Sequence, residues 1–248
     1  MLFPTTRIRR VPEVTALFWV LKLLTTGIGE TSSDFLVKTL DPVPVVLVAA
    51  VVFAGSLLIQ LSAGRYVPWR YWLFVLMVAI FGTMVADVTH IVFEVPYAIS
   101  SAAFLAVLVA LLVVWRRAEG TISVHSIDSR RRELFYWAVV LATFALGTAF
   151  GDLTATTLGL GYWGSAILFA VVFGIPLLLH SLGVAETLTF WAAYIVTRPL
   201  GASVADGLAV EPARGGLGFG TALVSIIGLV VIAAVVAVIQ VRSRTARG

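Results

Sequence analysis

Four aspartates recur at one position of a repeated sequence pattern and are the first candidates for chemistry. The pattern is Phe or Tyr, then Trp, nine residues, Gly, four residues and Asp, and it occurs four times without a gap. The aspartates of the pattern are Asp34, Asp87, Asp152 and Asp206, and the glycines are Gly29, Gly82, Gly147 and Gly201. Because so regular a spacing indicates an internal repeat, we expect the four aspartates to occupy equivalent positions in the fold.

The first copy of the pattern carries additional charged residues. Lys22, Thr26, Glu30 and Asp34 follow one another at intervals of four residues, so a helix presents them on one face. Lys22 is interpreted either as a structural counter-charge, paired with Glu30 or reaching towards the cytoplasmic side, or as a residue that gates access of the substrate. The position directly after each repeat glycine is held by Glu30, Thr83, Thr148 and Ala202. This register predicts oxygen ligands at one level, one turn below the aspartates.

Two more ionisable residues complete the candidate set. His90 lies three residues after Asp87 and shares its helical face, either as a ligand or proton carrier or as a plain hydrogen-bond partner. Arg198 precedes Pro199, which breaks or kinks a helix, and its guanidinium is expected to pair with an acid of a neighbouring helix or to act as a gate. Ionisable groups inside a membrane cost about 2.5–3.5 kcal/mol each on insertion scales and are functional candidates by default.

The chemistry that this set favours is cation binding. Five acids stand against two bases, a formal charge of −3 if all are ionised. Carboxylate, hydroxyl and imidazole groups suit Mn²⁺, Mg²⁺ or Ca²⁺, and crowded carboxylates can also share protons. The predicted metal ligands are Asp34, Asp87, Asp152, Asp206, Glu30 and His90, with Lys22 and Arg198 as gating or counter-charge residues.

The composition places these residues in a membrane. The 248 residues are 60% hydrophobic and only 12% charged, whereas soluble domains carry about 25% charged residues. A soluble globule, a disordered protein and a nucleic-acid binder are therefore excluded, despite the net charge of +4. The absence of cysteine excludes disulfides, thiolate metal sites and cysteine nucleophiles. Because no catalytic or nucleotide-binding motif occurs, we expect neither an enzyme nor a cofactor.

Eight apolar segments are long enough to span a bilayer, which takes about 20 residues. They cover residues 14–38, 43–62, 71–92, 96–115, 134–158, 161–181, 187–208 and 217–241. We therefore predict an all-α, polytopic integral membrane protein with eight transmembrane helices. Thirteen of the 17 basic residues fall on one face of such a chain, including Arg7, Arg244 and Arg247 near its ends. By the positive-inside rule, both termini are expected to be cytoplasmic.

Each copy of the pattern begins a two-helix repeat. The predicted repeats cover residues 11–65, 66–117, 131–183 and 184–242 of a single transmembrane domain, 1–248, with a basic cytoplasmic loop at 116–133. Because every repeat has two spans, all four point the same way and the odd-numbered helices should surround a shared centre. The glycines are expected either to allow close helix packing or to open the helices for an ion, and the tryptophans to anchor the chain at the membrane interface.

Several stretches of the chain resemble a known family. These are Val11 to Trp19 with Gly29 to Asp34, Gly147 to Thr154, and Thr197 to Gly201. Together they resemble a bacterial family of uncharacterised membrane-anchored proteins that consist of four copies of a repeat of unknown function. The resemblance implies eight spans and a location in the bacterial inner membrane, and it implies no settled activity.

The resulting hypothesis is a secondary transporter that binds a small, divalent, Mn-like metal cation at a carboxylate cluster within the membrane, with exchange against protons as one route. Its expected partners are the cation, protons and the lipid bilayer, with no nucleic acid, and a homo-oligomer is left open. The alternative is a non-transporting membrane scaffold or sensor in which the repeated aspartates are structural.

Overall fold

The computed structural model describes residues 9–245, without the side chain of Arg244, and this part of the chain is helical with no strand. The helices are α1 (Ala16–Thr39), α2 (Pro42–Ser62), α3 (Pro68–Ile91), α4 (Tyr97–Glu119), α5 (Arg130–Asp152), α6 (Gly161–Ser181), α7 (Glu186–Ala209) and α8 (Thr221–Thr245). The all-α class is thereby confirmed. Arg7, Arg247 and the Arg244 side chain, which contributed to the predicted orientation, lie outside the described residues.

Within residues 9–245, six of these helices are long and apolar enough to cross a membrane. They are α2, α3, α4, α5 with the turn that follows it, α6 and α8. The other two, α1 and α7, are as long at 24 residues each, but they carry charged residues such as Glu30 and Arg198. These two side chains face the protein interior rather than lipid. The chain is a multi-pass helical membrane protein.

The odd-numbered helices form a closed ring. Helix α1 packs against α3 and α7, and α5 packs against the same two helices from the opposite side. The even-numbered helices lie outside this ring, each against the odd helix that follows it: α2 on α3, α4 on α5, α6 on α7, and α8 back on α1. The ring agrees with the predicted shared centre. Helices α1 and α2 are consecutive in the sequence, yet they contact each other far less than α1 contacts α3 or α7, and far less than α2 contacts α3.

The four repeat glycines set the spacing of the ring, because each contacts the next odd helix at a distance that excludes a side chain. The contacts, measured from where an added Cβ would lie, are Gly29 to Ala79 Cβ at 2.2 Å, Gly82 to Phe144 Cβ at 2.7 Å, Gly147 to Arg198 Cγ at 2.3 Å, and Gly201 to Thr26 Cβ at 2.9 Å. Every partner lies three residues before the glycine of its own helix. All four helices continue through their glycines, so the packing interpretation is confirmed and the alternative of an opened helix is wrong.

The predicted role of the tryptophans as interface anchors is wrong for three of the four. Trp72, Trp137 and Trp191 are buried, and Trp19 is half-buried. The Trp191 indole donates a hydrogen bond to the carbonyl of Ile122, 2.9 Å away, in the loop between α4 and α5. The physical reason is the outer layer of even helices, which covers the faces of the odd helices that would otherwise meet lipid.

The two ends of the bundle differ chemically. We call one the basic end: there α2 joins α3, α4 joins α5 and α6 joins α7, and arginines such as Arg65, Arg116 and Arg130 are concentrated. The opposite end, the chamber end, carries the connections 40–41, 92–96, 158–160 and 210–220. The repeat aspartates lie in the last turns of the odd helices and therefore all approach the chamber end.

Candidate functional site

All four repeat aspartates and Glu30 line one cavity of about 470 Å³ at the chamber end. We call this cavity the acidic chamber. Its other polar lining residues are Lys38, Tyr97, Thr156, Tyr162 and Arg214. The ring explains the arrangement, because equivalent positions on four helices that surround one axis must face a common space. The sequence-based prediction that the aspartates share a site thus agrees with their placement.

The carboxylates of the chamber differ in their partners. Asp34 forms an ion pair with Lys38 of the next helical turn. The Oδ2 atom of Asp87 is buried and has no hydrogen-bond partner among the described residues. Asp152 and Asp206 make no ion pair with any residue between 9 and 245. Three carboxylates therefore line the chamber without an ion-pair partner among the residues that the structure describes.

Arg198 closes the floor of the acidic chamber. Its side chain is completely buried, and Nη2 donates hydrogen bonds to Glu30 Oε2, to Thr83 Oγ1 and, over 2.6 Å, to Thr148 Oγ1. Nη1 donates to the carbonyl of Thr26 over 3.4 Å. The predicted level of oxygen atoms below the aspartates exists, but a guanidinium from the fourth repeat already occupies it. The expected pairing of Arg198 with an acid of a neighbouring helix is confirmed.

Lys22 lies closer to the basic end than Arg198 does, and its ammonium group contacts aromatic rings. Its Nζ atom is 3.9 Å from the centre of the Phe144 ring and 4.2 Å from the centre of the Tyr194 ring. Within residues 9–245 this atom has no hydrogen-bond partner. The expected pairing of Lys22 with Glu30 is wrong, because the carboxylate of Glu30 forms its ion pair with Arg198. Extension of Lys22 towards the basic end is also wrong, since only 1% of the residue is exposed. A gating role for this lysine stays a prediction.

Replacing Lys22 with methionine is expected to leave the stability unchanged or to raise it by about 1 kcal/mol. Methionine has a similar length, and replacing a buried charge by a hydrophobic residue of similar volume is often neutral or stabilising. Thermal unfolding of the purified protein in detergent measures the effect, with Lys22→Ala as the cavity-forming comparison. A loss of stability as large for Lys22→Met as for Lys22→Ala would show that the ammonium itself stabilises the fold.

A tyrosine cluster closes the centre on the side of the basic end. The hydroxyls of Tyr71 and Tyr136 are 2.5 Å apart, and Tyr136 donates to the Tyr194 hydroxyl over 3.5 Å. All three side chains are fully buried. Sequence analysis missed this cluster, although the aromatic residue that opens each copy of the pattern was its signal. Tyr194 has no such signal, because it lies one turn beyond that position.

His90 is not part of the acidic chamber. Its Nδ1 atom is 2.8 Å from the carbonyl oxygen of Val95, and its Nε2 atom is 3.3 Å from Ser100 Oγ. The ring also packs on Tyr97, with the ring centres 4.0 Å apart. Because α3 ends at Ile91, His90 lies in its last turn and faces the connection to α4. Of the two roles predicted for His90, these contacts match that of a plain hydrogen-bond partner.

The six predicted metal ligands do not form a coordination shell. No group of three His, Asp or Glu side chains within residues 9–245 is placed to hold a metal ion. Of the six, Glu30 is bound by Arg198, Asp34 by Lys38, and His90 by the α3–α4 connection. The remaining three aspartates come from three different helices and face one another across the chamber.

The end of α5 differs from the ends of the other odd helices. Directly after Asp152 the chain continues as a π-helical turn, Leu153–Thr157, and Thr156 of this turn lines the chamber. Such wider turns occur frequently at functional sites. Nothing in the repeat spacing predicted this turn, nor that Arg214 would reach Tyr162 at the chamber, where its Nη2 donates to the phenol oxygen over 3.2 Å.

Comparison with protein families gives one match. The family described as Repeat of Unknown Function (DUF347) matches residues 17–66, 70–121, 135–182 and 189–245. These four ranges cover most of the chain, and each begins in an odd helix and continues through the even helix that follows. No curated protein and no solved structure matches the sequence.

Proposed function

We propose that this chain, which belongs to the family of the DUF347 repeat, is a secondary membrane transporter that binds a cation in the acidic chamber. The cation is the substrate and not a resident cofactor, and no catalytic group is assigned. One observation carries the proposal: Asp87, Asp152 and Asp206 line a cavity at the chamber end, and none of them forms an ion pair within the described part of the chain.

In this proposal all eight helices cross the membrane. Helices α1 and α7 have the length of a span, about 36 Å at 1.5 Å per residue. Their charged residues within the ring are shielded from lipid by the neighbouring helices. The basic end is assigned to the cytoplasm by the positive-inside rule, with both termini there, in a bacterial inner membrane. The acidic chamber then opens to the outside.

Transport needs a conformational change, because the path across the ring is closed twice. Arg198 with Glu30 forms the floor of the chamber, and the tyrosine cluster closes the centre below it. The four parallel repeats offer the moving parts, as in transporters whose halves are related by an axis along the membrane normal. Exchange against protons is a natural coupling for this site, since neighbouring carboxylates that lose a bound cation can take up protons instead.

Replacing Asp87 or Asp152 with asparagine is expected to weaken cation binding by about tenfold or more. The change removes a charge and keeps the side-chain shape, and hydrogen bonds to charged groups contribute about 1.5–3 kcal/mol. Cation-induced thermal stabilisation of the purified protein and uptake by proteoliposomes measure the loss, with Mn²⁺, Mg²⁺ and organic ammonium ions as the panel.

Asp41→Asn is the matched control for these variants. Asp41 lies at the chamber end outside the acidic chamber, where its carboxylate caps α2 by accepting from the Val43 amide, and asparagine caps a helix equally well. Wild-type binding and uptake by folded Asp87→Asn and Asp152→Asn proteins would overturn the proposal. If both variants instead lose stability while no cation stabilises the wild type, the aspartates are structural and the scaffold alternative holds.

A further inference from the structure

We infer that the substrate of the acidic chamber is an organic ammonium ion with an apolar body rather than a bare divalent metal ion. This inference rests on the proposed cation transport and names the chemical class of the substrate. It is carried by the contrast between a few carboxylates near the floor and the apolar walls above them.

The walls of the chamber are mostly hydrocarbon. One turn beyond the aspartates, about 6 Å closer to the mouth, the lining residues are Ile91 on α3 and Val210 at the end of α7, while α1 and the turn after α5 place Lys38 and Thr156 at the same level. Val46 of α2 and Val88 of α3 widen this apolar surface. Tyr162 contributes an aromatic ring on the α6 side. Pockets of about 300–1,000 Å³ with mostly apolar walls and a few polar groups are typical of sites for organic ligands, and this cavity measures about 470 Å³.

A divalent metal ion fits this lining poorly. Mg²⁺ and Ca²⁺ need about six to eight oxygen ligands at short distances. No three candidate ligands within residues 9–245 are placed to hold a metal together. A hydrated metal ion would avoid that requirement, but its water shell would then face side chains such as Val46, Val88 and Ile91, which offer no hydrogen bonds.

An ammonium group satisfies the same site with fewer ligands. The buried Oδ2 atom of Asp87 has no donor, and an N–H group of a protonated amine supplies one. Tyr97 and Tyr162 also line the chamber, and aromatic rings attract cations. Two cationic side chains of the protein itself are bound by the same kinds of group. Arg198 binds the carboxylate of Glu30 on the chamber floor, and Lys22 lies close to two aromatic rings.

Four probes distinguish the contribution of the positive charge from that of the apolar body. Each is titrated into the purified full-length chain in detergent at pH 7, with protein-free micelles as the blank. They are 1-naphthylmethylammonium, methylammonium, the uncharged 1-naphthalenemethanol, and Mn²⁺. We expect saturable binding of 1-naphthylmethylammonium that is at least about tenfold tighter than that of the three other probes. Asp87→Asn should weaken this binding by about tenfold without changing any binding of the alcohol.

Three results would overturn the inference, and they differ in what they say of transport. Asp87-dependent binding of Mn²⁺ without binding of the naphthyl amine would leave cation transport standing and refute the substrate class. Equal binding of the amine and the alcohol would refute recognition of the charge. No binding of any cation would refute the proposed function as well. If Asp87→Asn does not fold, Asp152→Asn takes its place, since Asp152 lines the same chamber.

Discussion

Arg198→Met is expected to lower the free energy of unfolding by about 3–5 kcal/mol, because removing one partner of a buried ion pair leaves the other charge uncompensated. Glu30 would lose the guanidinium that holds its carboxylate, and Thr83 and Thr148 would lose the same donor. Thr83 and Thr148 are buried and do not line the chamber, so water cannot replace their contacts with the guanidinium. Equilibrium unfolding in mixed micelles of detergent and sodium dodecyl sulfate measures the change.

Two further proteins show whether the loss comes from the ion pair. The double variant Arg198→Met with Glu30→Gln should recover a large part of the lost stability, because it removes both charges together. Arg214→Met is the matched control: Arg214 is an exposed arginine at the chamber, and surface substitutions usually change stability by no more than about 0.5 kcal/mol. Equal stability of Arg198→Met and Arg214→Met would contradict the assignment of the chamber floor.

Gly29→Ala is expected to destabilise the protein by about 1–3 kcal/mol or more through overpacking. The new Cβ atom would lie 2.2 Å from Ala79 Cβ and 3.0 Å from the Ala79 carbonyl carbon. Backbone atoms cannot rotate away, so α1 and α3 would have to separate. Because the ring is closed, this separation also disturbs the contacts of both helices with their other neighbours. The same unfolding measurement reports the effect.

Gly55→Ala and Gly174→Ala are the controls for this substitution. Both glycines lie within helices, α2 and α6, and an added Cβ would have no atom within 4 Å at either position. Alanine is favoured over glycine in a helix by about 0.5–1 kcal/mol, so these variants should be as stable as the wild type or slightly more so. A Gly29→Ala protein that behaves like the two controls would refute the role of the repeat glycines in spacing the ring.

Arg198 also bears on the proposed transport. Its guanidinium fills the level where three repeats present Glu30, Thr83 and Thr148, so a cation in the chamber cannot pass straight through the ring. Below it, the fully buried side chains of Lys22 and the tyrosine cluster occupy the centre of the ring. If the proposed transport holds, we expect these layers to make the protein a carrier with one accessible side rather than an open channel.

The helices and the convergence of the aspartates were predictable because both depend on local spacing. A helix has 3.6 residues per turn, so Trp, Gly and Asp at fixed intervals on four apolar segments must occupy equivalent depths and faces. The apolar stretches likewise predicted the bounds of all eight helices to within four residues, with the π-helical turn Leu153–Thr157 counted as the end of α5. The coincidence of Asp34, Asp87, Asp152 and Asp206 in one cavity follows from the same regularity.

The pairing of helices and side chains was decided only by the tertiary structure. Arg198 and Glu30 are 168 residues apart, and no spacing indicates that the fourth repeat supplies the cation for the first. The same holds for Lys22, which contacts aromatic rings instead of Glu30 two turns further along its helical face, and for His90, which contacts the α3–α4 connection. Sequence alone determined the register of each helix, because backbone hydrogen bonds impose that period locally. Which charges are neutralised and which face the chamber depends on contacts between distant helices, and these exist only once the ring has closed.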